Sequence, residues 1–316
     1  MRHLPKLIGG ERTFDNECVA VTGATGFVGK ATILALQDVG LRWRALTRSP
    51  FKQTLNIGED ENWVQGDLAS SVALKQLFSG ADTVVHVAGA TKALSRNAFM
   101  RVNAIGAFTA AAQAHACGVK HFILISSLAA TRPEISAYAG SKAAGEAAVM
   151  LFADRMHVTI IRPPAVLGSA DPMLAPLFAL LKRGCFPALA DPSGRERVFS
   201  VIAVSDLAAE IIRSVRSETT TAQEIEPYSV QRVSWGQVHE AAQITVGRKL
   251  WCLPLPAFLL KFVGSAADLL CAITRQTMPI SGGKVRELLI ENWGSKTIVA
   301  NPMNLQDIIS ECLGKP

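Results

Sequence analysis

The first half of the chain alternates short apolar runs with stretches whose apolar residues recur every three or four positions. Cys18 to Thr22, Trp43 to Thr47, Trp63 to Gln65, Thr83 to Val87, Phe122 to Ser126 and Val158 to Arg162 have the length and apolar content of buried strands. Helices are predicted between them, notably Ala98 to Cys117 and Tyr138 to Asp154. Strand and helix in regular succession predict an α/β fold with a doubly wound parallel sheet. From Pro163 the prolines thicken, at positions 163, 164, 172, 176, 187 and 192, and the alternation stops. It returns with a strand near Val198 to Val201, a helix from Asp206 to Val215 and a strand near Ile225 to Val230. Two regions are therefore expected: residues 1–166 with 197–230, and a smaller, mostly helical one from residues 167–196 and 231–316.

The turn after the first strand reads TGATGFVG over positions 22–29, with Gly23, Gly26 and Gly29 at a spacing of three. In a strand-to-helix turn, the first glycine makes the bend and the second admits backbone amides to a pyrophosphate. The third lets the helix lie close to the sheet. The helix N-terminus then offers unpaired N–H groups to the anion. Gly23, Thr25, Gly26, Phe27, Val28 and Gly29 are thus candidate cofactor contacts.

Composition narrows the picture. Of 316 residues, 49% are hydrophobic and 18% charged, which argues against disorder and allows one large core or two modest ones. The six cysteines form no CxxC pair, so neither zinc nor a disulfide framework is expected. No apolar run follows a basic segment at the N-terminus, so no signal peptide is expected. These readings place the protein in the cytoplasm. The net charge of +6 suits an anionic cofactor or an anionic membrane surface, and no basic run with interleaved aromatics points to nucleic acid.

A second constellation is Tyr138 and Lys142, four residues apart on one predicted helix, preceded by Ser126 and Ser127 at a strand end. An ammonium about 5 Å from a phenol, at an effective dielectric near 20, favours the tyrosinate by roughly 3 kcal/mol. That is about two pKa units, so a lowered phenol pKa is expected.

These residues resemble the short-chain dehydrogenase/reductases of the extended, epimerase/dehydratase-like type, and the resemblance runs along most of the chain. TGATGFVG resembles that family's cofactor turn, Gly66-Asp67-Leu68 its adenine-contacting strand end, and HVAGAT over 86–91, with Ala88 and Gly89, its fourth-strand segment. Asn103 resembles the helix asparagine that orders a water beside the catalytic lysine. The run from Arg162 to Gly168, with Pro163 and Val166, resembles the turn beside the nicotinamide. Val204 to Ala208 resembles a later family segment, and Lys284 to Leu288 followed by Trp293 the ending of uncharacterised bacterial members.

The resemblance implies hydride transfer between a nicotinamide and a carbonyl or alcohol. Tyr138 would be the proton donor, Ser127 would hold the carbonyl oxygen, Lys142 would bind the ribose and Asn103 would anchor a relay water. Leu128 stands where sugar-nucleotide dehydratases carry an acidic pair, which disfavours dehydration. Family members often pair through the Tyr138 helix, so a homodimer is compatible.

Cofactor choice follows from charge. The second strand, LRWRALTRSP, ends without the acid that would bind an NAD ribose. Arg48 occupies that place, with Arg44 and Lys52 nearby, which predicts NADP(H) rather than NAD(H). The substrate is expected to be hydrophobic, keto-lipid or sterol-like, because residues 250–273 are strongly apolar. That segment suits core, substrate pocket or membrane interface, and its prolines and charges argue against a transmembrane span. Peripheral contact with the inner membrane surface is compatible with it. Two other functions fit the same residues: a nucleotide-sugar epimerase or reductase, and a non-catalytic cofactor-binding accessory subunit.

Overall fold

A computed structural model describes residues 17–49, 62–169, 171, 175–190, 197–278 and 280–314. In chain order the strands are β1 (Cys18–Thr22), β2 (Arg42–Thr47), β3 (Trp63–Gln65), β4 (Thr83–His86), β5 (His121–Ile125), β6 (His157–Ile161), β7 (Ala165–Leu167), β8 (Cys185–Ala190), β9 (Val198–Ala203), β10 (Gln223–Ile225), β11 (Pro227–Tyr228), β12 (Val230–Ser234), β13 (Trp251–Pro256), β14 (Asn292–Trp293) and β15 (Thr297–Ile298). The helices are α1 (Phe27–Asp38), α2 (Ser71–Phe78), α3 (Arg96–Met100), α4 (Gly106–Ala116), α5 (Ala137–Met150), α6 (Ala175–Lys182), α7 (Val204–Val215), α8 (Trp235–Val246), α9 (Ala257–Thr274), α10 (Gly282–Leu288) and α11 (Leu305–Cys312).

Seven strands form one parallel sheet in the order β10-β6-β5-β4-β1-β2-β3. The order reverses between β1 and β4, which opens a crevice at the carboxyl ends of the strands where ligands bind in such sheets. Both faces are apolar because both are covered. Ile33 and Leu36 of α1 with Leu207 and Ile211 of α7 pack on one face; Leu74 and Leu77 of α2, Ala110 and Ala111 of α4 and Val149 of α5 pack on the other.

A second sheet is built on β9, which pairs antiparallel with β12 and parallel with β7 and β14. The strand near residue 198 therefore leaves the main sheet, although α7 and β10, which follow it, rejoin that layer. The stretch expected as one strand near 225–230 divides into β10, β11 and the start of β12, each in a different sheet. A third core holds Leu181, Phe186, Val238 and Ile308, under α6, α8 and α11.

The helix predicted from Ala98 to Cys117 differs in one respect. Residues Arg101–Ile105 form a π-helical turn between α3 and α4. The residue this inserts changes which side chain faces α5.

Candidate active site

The bend after β1 places Gly23 at a φ of 72°, where a Cβ would stand 2.5 Å from the Ala88 nitrogen. One turn into α1, a Cβ on Gly29 would stand 2.1 Å from the Gly23 oxygen. Bend and helix are thus pressed together, and Gly26 N–H closes the turn on Gly23 O at 3.0 Å. Gly26 is also the N-cap of α1, and no side chain caps the helix's first N–H groups. Those groups are left for an anion at the sheet's switch point, which fits a dinucleotide pyrophosphate. Thr25 is exposed, Phe27 and Val28 are half-buried, and the Phe27 ring lies against Gly168 beyond β7.

Arg48 follows the last residue of β2 and is exposed, with no acid between Arg42 and Ser49. Arg44, expected beside it, instead donates to the carbonyls of Gln76 and Ser79 at the end of α2. It is engaged there because a helix C-terminus leaves carbonyls that a guanidinium can satisfy. Lys52 lies outside the described residues. Asp67 is exposed, and its carboxylate accepts the N–H groups of Ala69 and Ser70 at 2.9 and 3.1 Å, while Leu68 packs against Gly106. Ala88 N–H donates weakly to Thr22 Oγ1 at 3.4 Å, and Gly89 is exposed just beyond. Pro163 O accepts from Leu128 N at 2.9 Å, which joins the end of β6 to the serine turn, and Val166 lies in β7 opposite Ile202.

The structure brings Asn103, Ser127, Tyr138 and Lys142 together beside this crevice. Asn103, in the π-helical turn, is buried and has three hydrogen bonds. Its Oδ1 accepts from Ala90 N at 2.7 Å, and its Nδ2 donates to Ala90 O at 3.0 Å and to Ser141 Oγ at 2.9 Å. α5 approaches that turn so closely that a Cβ on Gly145 would stand 2.3 Å from Asn103 O. Lys142 Nζ donates to Ile125 O at 2.8 Å, at the end of β5. A Cβ on Gly89 would come within 3.1 Å of Nζ and 3.3 Å of Asn103 Oδ1, so Gly89 leaves these two polar groups a common opening. Ser127 caps the short 3₁₀ turn Leu128–Thr131, accepting from Ala129 N at 3.2 Å, and its hydroxyl neighbours the Tyr138 phenol. The Tyr138 ring meets Phe99 edge to face at 6.0 Å.

The expected lowering of the phenol pKa is not found. Burial pushes Tyr138 up to about 12, the neighbouring Ser127 hydroxyl opposes this, and the Glu287 carboxylate adds to it. Lys142 does not counter the shift, because its ammonium is turned to the Ile125 carbonyl and is itself pushed down to about 8 by burial. His86 stands behind it, fully buried, with Nδ1 against Thr22 Oγ1 at 2.9 Å. Burial and then the Lys142 charge lower its pKa to about 3, so the imidazole is neutral.

Two carboxylates that sequence reasoning passed over support the cluster. Glu146, one turn beyond Lys142, accepts from Ser126 Oγ and takes a bidentate grip from Arg162 at 2.7 to 3.1 Å. That pairing separates the two serines: Ser126 is tied into an ion pair below the site, and Ser127 faces the phenol. Glu146 was findable, since residues four apart on a helix share a face. Glu287 was not, because its partner Ser136 lies 151 residues away. Asp206, in the later family-like segment, serves the framework, accepting from Ser229 Oγ and from Met303 N at 2.8 Å.

Comparison with known proteins gives the family. The sequence profile of the NAD dependent epimerase/dehydratase family matches residues 19–180, from β1 into α6. The chain belongs to that family. A ceramide reductase of Caulobacter vibrioides is 37% identical over 279 residues, covering 87% of this chain and 85% of that protein. Two solved structures share the family fold at low sequence identity. MoeE5 in complex with UDP-glucuronic acid and NAD has a TM-score of 0.72 and 17% identity, covering 94% of this chain and 98% of its own. The human epimerase family protein SDR39U1 with NADPH has a TM-score of 0.70 and 14% identity, covering 94% of this chain and 99% of its own. Membership makes this a protein of an extended short-chain dehydrogenase/reductase type whose members use nicotinamide cofactors.

Proposed function

We propose that the protein is an NADP(H)-dependent reductase of a ketone or aldehyde carried on a hydrophobic, long-chain lipid. The observation that carries this reading is the neutral phenol of Tyr138, placed with the Ser127 hydroxyl as its neighbour and Lys142 one turn on along α5. A neutral phenol is a proton donor, and a donor is what carbonyl reduction requires.

A bound nicotinamide would supply the hydride. The amides of the Gly23 to Gly29 turn would hold its pyrophosphate, Arg48 a 2′-phosphate, Asp67 and Leu68 the adenine side, Ala88, Gly89 and Lys142 the ribose, and Pro163 and Val166 the nicotinamide side. The chain's own residues handle oxygen and proton. Ser127 Oγ orients the carbonyl oxygen and Tyr138 donates its hydroxyl proton to it. Lys142, anchored on Ile125 O, would serve the ribose and leave the phenol to Ser127, and Asn103 fixes the loop after β4 through Ala90.

Two facts support the finer assignments. The end of β2 carries Arg48 and no carboxylate. The 37% identical relative is a ceramide reductase, which supports a lipid substrate. The test is oxidation of NADPH and NADH against keto-lipids, steroids and sugar nucleotides, alongside Tyr138→Phe. NADPH consumption with a keto-lipid, lost in the variant, is expected. Turnover of sugar nucleotides alone, with NAD retained through purification, would assign the site to an epimerase.

A further inference from the structure

The helix α9 is long and apolar enough by length and composition to cross a membrane, yet almost none of it is buried. Its packed side is narrow. Leu260 and Gly264 are buried, and Gly264 touches Val285 and Gly282 of α10. At about 100° per residue, Phe258, Phe262, Leu269 and Ile273 fall on one stripe and Leu259, Val263 and Leu270 on the next, an apolar arc of roughly 140° directed away from the packed side. Phe258 is 73% exposed, Phe262 71% and Ile273 72%. The preceding strand β13 extends the surface with Trp251, 83% exposed, and Leu253. Contiguous exposure of this kind marks an interaction site rather than ordinary surface.

Charge identifies the occupant. Between Arg248 and Arg275 stand four cations, Arg248, Lys249, Lys261 and Arg275, against one acid, Asp268, a net charge of +3. All four cations are exposed, and the single carboxylate, Asp268, also exposed, accepts the Gly282 N–H at 3.1 and 3.2 Å. A two-fold dimer through this face would bring like charges together. An anionic bilayer would accept the aromatic and aliphatic arc at its headgroup boundary and the cations among its phosphates.

We infer that α9 and β13 form a docking surface for anionic lipid bilayers, with α9 lying in the plane of the interface. Asp268 holds α9 to the N-terminus of α10, and Glu287 of α10 bonds Ser136 at the start of the Tyr138 helix. The docked face and the candidate active site are therefore joined through one short helix.

The experiment is vesicle flotation of the full chain, which needs no turnover and so fails or succeeds independently of the proposed reaction. Vesicles of phosphatidylcholine with phosphatidylglycerol should retain the protein at low salt, and raised salt or phosphatidylcholine alone should release most of it. The double variant Phe258→Ser/Phe262→Ser should lose binding by ~10-fold or more. Circular dichroism should be unchanged, because both rings point to solvent. Lys249→Glu/Lys261→Glu should lose binding to anionic vesicles with the apolar arc intact. Wild-type protein that stays unbound at low salt would overturn the inference. So would serine variants that float like wild type, or ones whose only change is dissociation of a dimer.

Discussion

Ser136 Oγ donates to Glu287 Oε1 at 2.6 Å, joining the N-cap of α5 to α10 across 151 residues of sequence. The same carboxylate helps to hold the Tyr138 phenol protonated. Glu287→Gln keeps an acceptor for Ser136 and removes the charge. Absorbance titration in a Tyr228→Phe background, which leaves one tyrosine, should show the Tyr138 midpoint moving down from about 12. An unmoved midpoint would mean that burial alone sets it.

The two adjacent serines should separate cleanly in kinetics and stability. Ser127→Ala removes the hydroxyl next to the phenol, and kcat should fall by roughly 10²- to 10³-fold with the thermal midpoint little changed. Ser126→Ala leaves Glu146 short of one donor in a buried ion pair. It should cost about 1–3 kcal/mol in denaturant unfolding and spare kcat. Reversed phenotypes would exchange their roles.

Arg48→Asp tests the cofactor rim. Loss of a charge-assisted bond to a 2′-phosphate should weaken NADPH binding by ~10- to 150-fold and spare NADH. Fluorescence titration of both nucleotides reads the difference, and an equal effect on the two would take Arg48 out of the site.

Lys142 makes stability depend on pH with a defined sign. Burial lowers its folded pKa from 10.5 to about 8, so between these values the unfolded chain binds more protons than the folded one. Its burial therefore opposes folding by about 3 kcal/mol below pH 8, and the penalty is relieved as pH rises towards 10.5. Lys142→Met has no such dependence. Unfolding curves of the cofactor-free proteins should show wild type gaining on the variant between pH 8 and 10. A constant difference would place the ammonium in water.

Six of the sheet's seven strands were legible because each is a local apolar run, whereas the edge strand β10, Gln223-Glu224-Ile225, carries no such pattern. Cys18–Thr22 and Trp63–Gln65 begin and end where the pattern does. The π-helical turn at Asn103 was not legible, since the helical periodicity runs through it and the insertion is set by bonds to Ala90 and Ser141. Arg44 misled for a related reason: its basic neighbourhood in sequence is shared with Arg48, but its place on β2 aims it at the end of α2. The downward shift expected for Tyr138 counted one neighbouring charge and left out desolvation, which is the larger effect in the structure.

One continuous stretch, from Val198 to Val215, contributes β9 to the second sheet and α7 to the helices covering the first. A chain severed before it would strip Ile33 and Leu36 of the cover that Leu207 and Ile211 provide. A fragment ending at residue 196 should therefore expose an oily flank and aggregate, so the sheet needs the later part of the chain to be made with it.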